Sequence, residues 1–215
     1  MHHKTLLFTT LMFLLIVGSV FSPTSRAQAA REPSVKADEP ASHFLKADEL
    51  FLKKELKTAA SEIRKGAGFL KQKAKTASKD SKKGLRASVQ ELEKLAKDVE
   101  RGGVTSEEQL KDTFARSYDA LSNYEYQRAS ESWAKKRTRE AGQALTNAAQ
   151  DIEQAAKWSG REVEAGTTDI IQYARMVGGK LVKGGDWTAD EVEKGIKGIS
   201  NAISKFGEKI ESKDK

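Results

Sequence analysis

The chain has 215 residues, with 38 Lys and Arg against 31 Asp and Glu, a net charge of +7, and no cysteine. The missing cysteine excludes disulfides, thiol chemistry and cysteine-based metal sites. The charges interleave at short range, which is the pattern of solvated helical faces and not the clustered Lys and Arg of a dedicated nucleic-acid binder.

Residues 1–29 read as a secretory signal. Lys4 supplies the positive start, Leu6 to Phe21 the apolar stretch, and Ala27-Gln28-Ala29 a small-x-small cleavage site. The stretch is shorter than the roughly 20 residues a spanning helix needs. Cleavage after Ala29 takes away Lys4 and Arg26 but no acid, lowering the net charge from +7 to +5. The expected location is periplasmic or secreted, with no integral membrane segment once the signal is gone.

Residues 30–40, holding Pro33 and Pro40, read as a flexible leader. From Ala41 onward there is no proline, which permits long helices, and no stretch shows the β-branched alternation of a strand. Helix A1 is expected at 41–52, with Lys53-Lys54 marking a turn. Helix B1, about 55–101, carries Leu56, Ala60, Ile63, Ala67, Leu70, Ala74 and Ala77. Their 4-3-4-3-4-3 steps make a coiled-coil-like seam. The pattern falters over 78–84, and Gly102-Gly103 ends it. Elements C1 and A2 run together as one helix over about 106–134. Helix B2 follows at about 137–183, weakened at 160–166 by Gly160 and Gly166, and C2 at 189–212. Unbroken, each B helix would be about 70 Å long, so a kink or a break is expected at both weak points.

The order A–B–C appears twice. When the sequence is shifted to carry Gly102-Gly103 onto Gly184-Gly185, Phe51, Leu70 and Leu121 fall on Trp133, Ile152 and Ile203. After each glycine pair comes a hydroxyl residue, Ser106 or Thr188, with Gln109 or Glu191 three positions on, the spacing of a capping box. The expected fold is all-α: an elongated antiparallel helical bundle built from an internal duplication of about 82 residues. It forms a single domain over 41–215, with copy 1 at about 41–122 and copy 2 at about 123–212. The segment ADELFLKKELKTAASEIRKGAGFL, residues 47–70, resembles a tetratricopeptide-type helical hairpin and the hairpins of YfdX-type periplasmic stress proteins. That resemblance implies a helical hairpin and carries no site residue.

Chemistry is sparse. His2 and His3 leave with the signal, so His43 is the single histidine of the mature chain, beside Phe44 at a helix start. A triad would have to use it, and no G-x-S-x-G element, phosphate loop or E-x-x-H pair accompanies it. No catalytic residue, cofactor or metal ligand is expected, and the protein reads as a non-enzyme. Phe114, Tyr118, Tyr126, Trp133 and Trp158 are the notable aromatics. They either fill the core where helices meet or line an inter-helix pocket for a small apolar ligand. Trp187, just before a cap, reads as a hydrophobic staple. Lys71, Lys73 and Lys75 give a basic face, which is either solvated or in weak contact with an anionic surface.

The leading expectation is an exported, non-enzymatic bundle that acts by binding or scaffolding, in the manner of an envelope-stress protein, with a protein or small apolar ligand as its unknown partner. A periplasmic sensor or carrier and a membrane-surface or cell-wall associate are the alternatives. Trp158 and Trp187 stand where copy 1 has Thr76 and Thr105, and these added tryptophans place any specific site nearer the second copy.

Overall fold

Seven helices make up the described part of the chain, residues 39–160 and 165–211 of a computed structural model. They are α1 (Glu39–Leu52), α2 (Leu56–Thr76), α3 (Lys79–Glu100), α4 (Glu107–Ala134), α5 (Thr138–Ser159), α6 (Ala165–Lys183) and α7 (Ala189–Glu211). There is no strand among the described residues. The expected signal, residues 1–29, and residues 30–38 of the expected leader lie outside the described residues. Residues 39 and 40 do not belong to a leader: they form the first turn of α1, where proline is tolerated because the first amides have no helical partner anyway.

The fused helix is α4. It starts at Ser106, whose side-chain oxygen accepts from the Gln109 amide at 3.4 Å. At α7 the capping box is complete. Thr188 Oγ1 accepts from the Glu191 amide at 3.2 Å, and Glu191 Oε2 accepts from the Thr188 amide at 2.8 Å. These bonds satisfy amides that the first helical turn leaves without partners.

Of the two expected outcomes the B segments take the break, not the kink. Each breaks at the weak point and doubles back, so α2–α3 and α5–α6 are antiparallel hairpins. Arg64 in the first half of α2 pairs with Glu100 at the end of α3 at 2.6 Å, and Gly142 of α5 abuts Gly178 of α6. In the first hairpin Ala77 turns extended (ψ 150) and Ser78 takes the N-cap position of α3 without a side-chain cap bond, its hydroxyl donating instead to Gln127 of α4 at 2.6 Å. In the second, Gly160 ends α5 in the left-handed conformation (φ 63). Doubling back lets each short helix bury its apolar face against a neighbour, which a rod of about 70 Å could not do along its whole length.

Four helix ends close in the same way. The amide after the left-handed residue reaches back five positions, and at Lys54, Gly102 and Lys136 the left-handed residue's own amide reaches back three, which is the Schellman pattern. The left-handed residues are Lys54 (φ 63), Gly102 (φ 73), Lys136 (φ 57) and Gly184 (φ 73). Glu55 N–H donates to Leu50 at 2.9 Å and Arg137 N–H to Ser132 at 2.8 Å. Gly103 N–H donates to Asp98 at 2.8 Å and Gly185 N–H to Lys180 at 3.0 Å. Lys54 and Lys136 are separated along the chain by the same interval as Gly102 and Gly184. The starts of α2 and α5, and of α4 and α7, repeat that interval.

One apolar core runs through all seven helices. Alanine is abundant in it, and α5 buries Ala141, Ala144, Ala148, Ala149, Ala155 and Ala156. Small side chains let backbones approach, most closely at Gly142 and Gly178. A Cβ built on Gly142 would sit 2.7 Å from the Gly178 carbonyl oxygen. The same interval earlier in the chain stand Ala60 and Ala96, both fully buried.

Candidate functional site

Phe114, Tyr118 and Trp158 come together. Phe114 stacks on Phe44 of α1 (centroids 4.3 Å, planes 8° apart), while Tyr118 meets Phe44 edge-on at 5.8 Å and Trp158 meets Phe114 edge-on at 5.0 Å. Phe44 lies against Gly66 of α2, where a Cβ would fall 2.3 Å from the ring. Phe44, Phe114 and Tyr118 expose no surface, so a ligand would reach them only by displacing core side chains. Trp133 lies about 19 residues beyond Phe114, about 28 Å further along α4. It packs edge-on against Trp187 at 5.4 Å, so Trp187 braces the end of α4 at the entry to α7. Tyr126, partly buried, lies between. The five aromatics therefore do not converge on one pocket.

A groove of about 560 Å³ opens elsewhere, between α1, α2 and α4. His43, Lys65, Gly68 and Phe69 line one end, and Gln72, Lys73, Thr76, Tyr124 and Arg128 the other. It runs along α2, and no tryptophan lines it. Its volume is within the range of small-molecule sites.

Two buried carboxylates organise it. Glu62 of α2 and Glu125 of α4 have side chains only 5% and 3% exposed. A carboxylate that deep must be paired and hydrogen-bonded, and both are. Glu62 Oε2 meets His43 Nδ1 at 2.7 Å, and Glu62 Oε1 accepts from Lys65 at 2.7 Å, with Lys46 at 3.9 Å. Glu125 Oε1 accepts from Lys73 at 3.2 Å and Oε2 from Arg128 at 2.7 Å. Burial pushes the Glu62 carboxyl up, but the hydrogen bonds and charges of Lys65 and His43 outweigh it and hold the group below the ordinary glutamate range.

The cations rest on aromatic faces. Lys73 Nζ stands 5.2 Å from the Phe69 centroid and 5.7 Å from that of Tyr124, and the Arg128 guanidinium is 5.6 Å from Tyr124. Such contacts fix the direction of long side chains. Lys73 thus turns into the groove, whereas Lys71 and Lys75 stay exposed; the three lysines do not share one face. All four carboxylate oxygens of Glu62 and Glu125 are engaged. Each recorded ion pair uses one proton of an ammonium that has three, or one donor of a guanidinium that has five. The groove therefore offers cationic donors and holds back its carboxylates.

Comparison with protein-family models, with curated proteins and with solved structures finds no match. Among the described residues no cluster of His, Asp and Glu could hold a metal ion, and no helix is long and apolar enough to cross a membrane.

Proposed function

We propose that this chain is an exported, non-enzymatic binding protein, a helical bundle of two related units whose working surface is the groove between α1, α2 and α4. The observation that carries the reading is the pairing of two buried, fully engaged carboxylates with cations that keep donors beyond those the ion pairs use. Residues that served only the fold would not need charge at this depth: replacing a buried ion pair with apolar residues is often neutral or stabilising. Export rests on the signal pattern of residues 1–29. The relation of the two units rests on the recurrence of helix ends, Lys54 with Lys136 and Gly102 with Gly184, at one interval. The groove favours a ligand with acceptor groups over a small apolar one, because its rim is cationic.

A thermal-shift panel of carboxylates, phosphates, amines and apolar compounds tests it, run on the wild type and on Gly68→Phe. A Cβ at Gly68 meets nothing within 4 Å, so this substitution fills the groove without disturbing the core. A ligand at a hundred times its Kd stabilises by about 2.7 kcal/mol. Some class should raise the melting temperature of the wild type and not of the variant. Equal shifts in both proteins, or none in either, would refute the groove as the working surface.

A further inference from the structure

The groove is divided along its length. Lys65 and Lys73 are eight residues apart on α2, about 12 Å at the helical rise. Lys65 belongs to the station around Glu62, with His43 and Lys46, and Lys73 to the station around Glu125, with Arg128. At each station two permanent cations face one carboxylate, leaving a charge of about one. One positive charge matches a carboxylate; a phosphate dianion would want two. Between the stations lie Phe69 and Gly68, an apolar ring beside a position with no side chain. A main chain can approach closely there.

We propose that the groove binds an extended acidic peptide segment that presents two carboxylates about 12 Å apart. This deepens the reading of the groove as a binding surface and rests on it. In an extended chain, residues i and i+4 point the same way and lie about 13 Å apart at about 3.3 Å per residue. Their carboxylates reach the two stations. The side chain at i+2 faces the same way and falls on Phe69.

The probe is a fluorescently labelled pentapeptide, Glu-Thr-Val-Thr-Glu, capped at both ends, titrated into the full chain and followed by anisotropy. It should bind at least ten-fold more tightly than Gln-Thr-Val-Thr-Gln, and at least ten-fold more tightly than Glu-Glu-Thr-Val-Thr, which has the same charge without the spacing. Inorganic phosphate at equal concentration should not displace it. Gly68→Glu should weaken binding at least ten-fold relative to Gly68→Gln. These two variants have the same shape, point into open space and leave both stations intact. Equal binding of the two acidic peptides, displacement by phosphate, or equal affinity of Gly68→Glu and Gly68→Gln would each overturn the proposal. If the pentapeptide does not bind while another compound still stabilises the wild type and not Gly68→Phe, the ligand class is wrong and the groove stands. If nothing binds in either experiment, both fall.

Discussion

Replacing Gly142 by alanine should destabilise the protein, although Gly-to-Ala inside a helix ordinarily helps. The new Cβ would lie 2.5 Å from Leu181 Cβ, 2.7 Å from the Gly178 carbonyl oxygen and 3.2 Å from the Val182 nitrogen. Backbone atoms cannot swing aside as a side-chain tip can. Relief needs α5 and α6 to separate by about 1 Å, which places the cost at the upper end of overpacking, about 3 kcal/mol. Helix propensity returns about 1 kcal/mol. The net loss is therefore about 2 kcal/mol, or about 4–8 °C in melting temperature for a domain of this size. Gly68→Ala is the internal control. It meets no neighbour and should gain about 1 kcal/mol, or about 2–4 °C. Thermal unfolding by far-ultraviolet circular dichroism measures both. A Gly142→Ala protein melting at or above the wild type would show that the hairpin is not locked by backbone contact, and the argument would fail.

Lys54→Gly and Lys136→Gly should each stabilise by about 1 kcal/mol, because lysine holds a left-handed conformation there that glycine adopts without steric cost; urea titration reads the gain. Phe44→Ala should cost about 3–5 kcal/mol by the same assay, since it empties the centre of the aromatic cluster. Glu62→Gln should cost about 1–3 kcal/mol near neutrality through its lost charged hydrogen bonds. The folded-state carboxyl lies below its ordinary 4.5, so its contribution is whole above that value and fades as the pH falls through the folded pKa. Wild type and Glu62→Gln should therefore converge in acid. A gap that persists undiminished at low pH would contradict the assignment.

The helix caps were readable because their chemistry is local. Glycine pairs, a serine and a threonine fix Gly102, Gly184, Ser106 and Thr188 without reference to distant residues. The hairpins were less readable. Ala77-Ser78 contains no obligatory breaker, and what folds α2 back on α3 is contact at a distance, such as Arg64 with Glu100. The groove was the least legible. Beside the apolar seam of α2 runs a second stripe, Ala59, Glu62, Gly66, Phe69, Lys73 and Thr76, stepping 3-4-3-4-3. Its charged members looked like solvent-facing residues, and they became a site only when α4 set Glu125 beside Lys73, 52 positions away. The aromatics stood out for their size, yet Phe114 and Tyr118 serve the interior.

The unbroken α4 has a bearing on dissection. It spans the boundary near residue 122 and carries Tyr124, Glu125 and Arg128 to the groove, while His43, Lys65 and Lys73 arrive from the first half. The groove belongs to neither half alone. A fragment ending at the boundary would keep Phe114 without the Trp158 ring that covers it, and one wall of a channel without the other. A binding assay on this groove therefore needs the whole bundle, because a fragment ending near residue 122 lacks Tyr124 and Arg128.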